Sequence, residues 1–284
     1  MGNTAVIDAS SLDAFSYAKT RLCELEQAWS RFVPSSDISR LNAKEGSRLM
    51  VQRETAALLS YMREAYIATG GLFDPTMLRV TCEAGYAKSR SSELVTPVPA
   101  SAHNVGDIAG MLLEELDDVW YAELPKGTIV DPGAIGKGLA ADIVAEELVR
   151  RSSDSVGVAV SIGGDVRVIG VTRSIGVEHP LTGSVFENVE CQNGALATSS
   201  IYGKRLSNHA GSQGHVVDPR TLNEPSHDFL QVTVAASTCV WAEALATACL
   251  VSGDFGPASR LEIGALAVRR DGTVEKSPFW NGTV

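Results

Sequence analysis

Apolar and polar positions along the chain follow two periods. From Ser11 to about Phe32 the spacing is helical, with Leu22, Leu25 and Trp29 on one face, and Pro34 stops the run. The stretch Val33–Asn42, rich in turn formers, reads as a loop. A second helix is predicted from about Glu54 to Ala68 and ends at Gly70-Gly71. Residues 88 to 107 hold many Ser, Pro and Ala residues and read as an exposed loop, a candidate for mobility or insertion. Short strands are expected at Ala5–Ile7, Val119–Glu123, Thr128–Val130, Val156–Ser161, Val166–Ile169, Ser174–Glu178, Gly194–Thr198, Phe229–Ala236 and Ala265–Arg269. Val119–Glu123 and Thr128–Val130 are expected to pair, and Gly163-Gly164 to turn one strand into the next. Helices are expected from Leu139 to Arg151, from Cys239 to Val251 and around Pro257–Glu262. Neither a repeat nor a linker interrupts this order, so strands and helices mix in one α+β unit spanning residues 1–284, with mixed or antiparallel sheets packed by helices.

Two stretches carry chemistry. In Val130-Asp131-Pro132-Gly133-Ala134-Ile135-Gly136-Lys137-Gly138, glycines stand where an extended run passes into a helix. The first N–H groups of a helix lack partners within it, and its dipole favours an anion. Lys137 adds a cation in the first turn, where helix stability prefers an acidic residue. A tight turn that needs glycine for steric reasons explains the same residues. The stretch fits neither the Walker A loop nor the Rossmann fingerprint. The second stretch is the apolar helix at Cys239–Val251, whose clearly polar side chains are Glu243 and Thr247, stacked one turn apart. A carboxylate among apolar neighbours needs a partner. Mg2+ supplies one, and so does a buried Arg, Lys or backbone donor.

Composition narrows the field. The formal charge of −10 argues against a nucleic-acid surface, so an anionic ligand needs local positive charge. Five cysteines without a CxxC give neither a disulfide framework nor a zinc set, and Cys239 and Cys249 read as core. No apolar run is long enough for a membrane span. The N-terminus lacks basic residues before an apolar core, which points to a cytoplasmic protein, or to an extracytoplasmic one if the chain has been trimmed. Of the five histidines, His215, just before Val216-Val217-Asp218-Pro219, is the best-placed base, although histidines at strand entries are mostly structural. Asp74-Pro75 has a local reading as a helix N-cap followed by proline.

In sequence order, several of these stretches resemble the motifs of the ApbE flavin transferases (FAD:protein FMN transferases). Ser36–Asn42 is similar to S-[DE]-I-S-R-[FL]-N, and Gly71–Thr76 to G-x-[FL]-D-x-T. Asp131–Asp142 is similar to D-L-G-A-I-A-K-G-Y-A-x-D, and Ile162–Val166 to I-G-G-[DE]-[IV]. Ala197-Thr198-Ser199, His215–Thr221 and Ala242–Thr247 are similar to A-T-S-G, H-I-I-D-P-R-T-G and A-D-A-L-A-T. The resemblance implies FAD as substrate, bound in a cleft between α/β layers, with Mg2+ on its pyrophosphate. Carried over, Phe32, Leu72, Phe73, Asp74, Asp131, Lys137 and Val217 hold FAD, while the Ala134 carbonyl, Glu243 and Thr247 hold the metal. A Thr or Ser hydroxyl of an acceptor flavoprotein then attacks the FMN phosphorus and AMP leaves, with His215 as base, oriented by Asp218. The alternatives are a pyrophosphatase of the same fold, splitting FAD into FMN and AMP, and a non-catalytic FAD-binding protein. Among the chain's departures from the family, Glu243 stands for the metal-binding Asp, Ser200 for the ATSG glycine, and Leu222 for the glycine after the Pro-Arg-Thr triplet.

Overall fold

Ser36 starts a helix where turn-forming composition suggests a loop. Its hydroxyl accepts the Ser39 N–H at 3.0 Å, the geometry of an N-cap, and Ile38 and Leu41 are buried behind it. A computed structural model of the chain describes residues 4–9, 11–89, 93–152, 157–201, 206–208, 211–213 and 216–284, with backbone alone at 206–208 and 211–213. The chain begins with β1 (Ala5–Asp8), α1 (Leu12–Trp29), α2 (Asp37–Ala43), β2 (Leu49–Val51) and α3 (Arg53–Thr69). Next come α4 (Leu78–Thr81), a π-helical turn at Cys82–Tyr86, β3 (Leu112–Leu116), β4 (Val119–Glu123), a 3-10 turn at Pro132–Ala134 and α5 (Gly136–Arg151). Strands β5 (Val158–Ile162), β6 (Asp165–Ile169), β7 (Arg173–Glu178), β8 (Val185–Cys191) and β9 (Ala195–Ser200) follow. The chain then forms β10 (Leu206–Asn208), β11 (Gly211–Gln213), β12 (Phe229–Ala236), α6 (Cys239–Ser252), α7 (Gly256–Ser259), β13 (Gly264–Arg269) and β14 (Val274–Lys276). Among the described residues, no helix is long and apolar enough to cross a membrane.

These elements make two compact units, each assembled from separate segments. One holds Met1–Gly2, Cys23–Gly136 and Arg205–Glu224; the other holds Asn3–Leu22, Lys137–Lys204 and Pro225–Val284.

The first unit contains the antiparallel sheet β2-β4-β3 with α2, α3 and α4. Its S-D-I-S-R-L-N stretch is scaffold. The buried Asp37 carboxylate accepts the Gln52 N–H and the Thr55 hydroxyl, both at 2.8 Å, which fixes the start of α3. Asn42 does the same for the segment before the glycine turn: its amide donates to the Val130 carbonyl at 2.9 Å and accepts the Val130 N–H at 2.8 Å. Thr128–Val130 is therefore not the strand expected from its apolar pattern, and β4 pairs with β2 and β3 instead. A side-chain amide has taken the place of a strand neighbour. Residues 93–107 form no helix or strand, yet Arg79 donates to the Pro99 and Ala102 carbonyls, and Gly106 N–H donates to the Thr76 hydroxyl.

The second unit is a seven-stranded antiparallel sheet in the order β1-β5-β6-β9-β12-β13-β14, with β7-β8 as a separate hairpin. Gly163 and Gly164 lie at φ +63° and +100°, and this left-handed pair turns β5 into β6 with Asp165 as its first residue. Strands β8 and β14 escaped the apolar pattern because charged residues interrupt both. Helix α6 packs on β9 and β12 and is buried nearly all round. Its own N-cap residue, Thr238, makes no capping bond. Asp142, on α5, supplies the cap instead, accepting the Cys239 and Val240 N–H groups at 2.8 Å each while its carboxylate lies 3.1 Å from the Arg167 guanidinium. One turn earlier, Gly138 lies against the Cys239 carbonyl with no room for a Cβ. Helices α5 and α6 are thus locked by close approach and by a borrowed cap.

Both devices are testable by equilibrium denaturation. Asn42→Ala leaves the buried Val130 N–H and carbonyl without partners and is expected to cost about 2–4 kcal/mol; a loss under about 0.5 kcal/mol would refute the amide's role. Gly138→Ala forces the two helix ends apart and is expected to cost about 1–3 kcal/mol or more. An unchanged denaturation midpoint would show that the close approach is not required.

Candidate functional site

Helix α5 begins at Gly136, so Lys137 sits in its first turn as the sequence pattern predicts. Its ammonium does not stand open at the helix end. It is bonded to two carboxylates, Asp165 from the start of β6 and Glu243 from α6. The second Glu243 oxygen accepts the Gly138 N–H at 2.7 Å, and the second Asp165 oxygen accepts the Thr198 N–H at 3.2 Å. The Asp165 and Glu243 side chains are 3% and 4% exposed, while Lys137 keeps 17%, so the lysine closes the cluster on its more open side. Two carboxylates and one ammonium leave this cluster at a formal −1.

Burial and charge oppose each other here. Burial alone would lower the Lys137 ammonium, but the Glu243 and Asp165 charges outweigh it and hold the pKa above that of an ordinary lysine. Lys137 therefore stays protonated at any working pH. Burial pushes the Glu243 carboxyl up to about 7, against the lowering pull of Lys137 and the Gly138 N–H. One turn along α6, the half-buried Thr247 hydroxyl lies 3.0 Å from the Ser199 hydroxyl of β9. The buried carboxylate that the apolar helix advertised has thus found a lysine and a backbone donor, two of the partners open to it from the sequence.

Several other predicted residues meet in the first unit. Asp131 caps the 3-10 turn, its carboxylate accepting the Gly133 N–H at 2.9 Å, and its own N–H donates to the Pro75 carbonyl at 2.8 Å. Arg31 lies 3.4 Å from the Asp131 carboxylate, and its guanidinium covers the Phe32 ring at 4.5 Å. Asp74 is not the N-cap of α4, which Met77 precedes; its carboxylate accepts the N–H and the hydroxyl of Thr76 at 2.8 and 2.7 Å, making a local turn. Burial raises the Asp74 pKa against those two bonds. Leu72 is half-buried, whereas Phe73 is 1% exposed and belongs to the core, its N–H donating to the Thr69 hydroxyl.

Val217 packs with Met77, Val80 and Leu222. Leu222 holds φ +59°, the left-handed region that glycine enters most readily, and this apolar cluster partly covers its side chain. The neighbouring Asp218 carboxylate receives the Arg220 N–H at 2.9 Å and its guanidinium at 2.8 Å. His215 lies outside the described residues.

Sequence reasoning assigned no role to Asp165, Asp142 or Arg31. The first two lie within motifs quoted for the family, but their partners are far along the chain. Arg31 adjoins Phe32 and carried no signal beyond its charge.

The ApbE family model matches residues 1–261. The FAD:protein FMN transferase of Vibrio cholerae is 26% identical over 239 residues, covering 81% of this chain and 71% of that protein. The Haemophilus influenzae protein of the same name is 25% identical over 276 residues, covering 92% and 79%. The crystal structure of the ApbE protein from Thermotoga maritima superposes with a TM-score of 0.80 at 23% identity, over 97% of each chain. The expected α+β fold with antiparallel sheets is the fold observed. With a family match that runs through both units and nearly the whole length, the chain belongs to the ApbE family.

Proposed function

We propose that this protein is an FAD:protein FMN transferase that moves FMN from FAD to a Thr or Ser hydroxyl of an acceptor flavoprotein and releases AMP. The observation that carries this reading is the buried Lys137–Asp165–Glu243 cluster at the start of α5, with Thr247 one turn beyond Glu243. Phosphoryl transfer asks a protein mainly for positioning and charge neutralisation, and the relatives named for this reaction support the same choice.

The cluster also suits a hard divalent cation. Glu243 and Thr247 present a carboxylate and a hydroxyl from one helix face, and the formal −1 leaves a positive charge to be supplied. Glu243, Thr247 and the Ala134 carbonyl are the residues that would hold Mg2+. Bound there, Mg2+ supplies Lewis-acid neutralisation of the pyrophosphate.

The protein's own residues do the rest. Lys137 is a permanently charged donor for a phosphate oxygen as negative charge moves toward the leaving group. Phe32, Leu72, Asp74, Asp131 and Val217, with Lys137, are the FAD contacts of this reading, with the core residue Phe73 behind Leu72 and Asp74 as their support. The acceptor hydroxyl oxygen bonds to the FMN phosphorus, the P–O bond to the bridging oxygen breaks, and AMP leaves with that oxygen. His215 takes the hydroxyl proton, with Asp218 as its orienting carboxylate.

Incubation with FAD, Mg2+ and a peptide bearing a threonine acceptor motif should yield AMP and a peptide heavier by FMN minus water, read by mass spectrometry. EDTA should abolish both products, and Glu243→Gln should lower kcat/KM by about a hundredfold or more. AMP without modified peptide would establish a pyrophosphatase instead. Bound FAD without either product would establish a flavin-binding protein.

A further inference from the structure

The four carboxylate oxygens of the cluster are not equivalent. Glu243 keeps one oxygen on the Gly138 N–H and gives the other to Lys137; Asp165 keeps one on the Thr198 N–H and also gives the other to Lys137. Each carboxylate is therefore anchored without the lysine, and the lysine is anchored twice. Loss of either ionic contact leaves all three side chains with a partner. Both carboxylates are almost fully enclosed. Asp165 lies on an inner strand of the sheet, whereas Glu243 lies on a helix that stacks the Thr247 hydroxyl one turn beyond it.

We propose that Lys137 is the resident cation on Glu243, to be exchanged there for a divalent metal, and that Asp165 is the positioning residue that keeps the displaced lysine at the site. This rests on the reading of Glu243 and Thr247 as metal ligands. It gives a chemical meaning to glutamate where the family carries aspartate: the longer arm reaches both the Lys137 ammonium and the Gly138 N–H. It also makes metal and dinucleotide binding mutually favourable. A lysine released from Glu243 and held by Asp165 has an N–H free to donate, and a pyrophosphate oxygen accepts it; by linkage each ligand then tightens the other.

The test is a titration with Mn2+ alone, free Mn2+ being read by its electron paramagnetic resonance signal, with no flavin and no turnover. The double variant Lys137→Met/Asp165→Asn removes one positive and one negative charge, so the cluster stays at a formal −1 and the two new side chains approximate the old in size. An effect of net charge alone leaves Mn2+ affinity unchanged, whereas exchange predicts binding about tenfold tighter than wild type, because no ammonium has to leave Glu243. Equal or weaker binding by the double variant, with the wild type still binding Mn2+, overturns the exchange and leaves the metal reading standing. Absence of Mn2+ binding by the wild type, with or without FAD, overturns both. Lys137→Gln/Asp165→Asn, which also keeps the formal −1 and puts a neutral amide where the ammonium stood, is the second variant should the first not fold. It too must bind Mn2+ more tightly than wild type, and an equal or weaker affinity overturns the proposal.

Discussion

Two carboxylates buried on one lysine set the terms for the second unit. Taking such charges out of water costs several kcal/mol each unless close partners and further hydrogen bonds meet them. Here Asp165 and Glu243 share the Lys137 ammonium, and each takes a backbone N–H as well. That arrangement requires the first turn of α5, the first residue of β6 and the second turn of α6 to converge. The interlock between the helices provides the convergence: Gly138 lets α6 approach, and Asp142 caps it. A shift of α6 that pulled Glu243 from both the lysine and the Gly138 N–H would leave a buried charge stranded.

How far this was legible in the sequence depends on where each residue finds its partners. The apolar periods located α1, α3, α5, α6 and most strands of the large sheet, because burial of one face is written locally. Helix α2 was hidden by its composition, since Ser36, Asp37 and Ser39 read as turn formers until Ser36 is seen to cap and Asp37 to bind the start of α3. Thr128–Val130 reads as a strand for the converse reason. Its apolar pattern is right for burial, but the Asn42 amide, a distant partner, satisfies the Val130 backbone.

The site shows the same division. A lysine in a glycine-rich first turn and a carboxylate in an apolar helix are both local anomalies, and both mark the cluster. That the two answer each other, with Asp165 as third member, is tertiary information. The family's departures are likewise structural once placed. Leu222 holds a left-handed backbone and packs on Met77, Val80 and Val217, and Glu243 bonds both the lysine and the Gly138 N–H.

The most direct check on this account is anomalous diffraction at the manganese edge from crystals grown with Mn2+ and ADP. The expected result is a manganese peak within bonding distance of the Glu243 carboxylate and the Thr247 hydroxyl, with the Lys137 ammonium retained by Asp165 and turned to the pyrophosphate. Manganese bound to the nucleotide away from Glu243, with Lys137 still on that carboxylate, would contradict it.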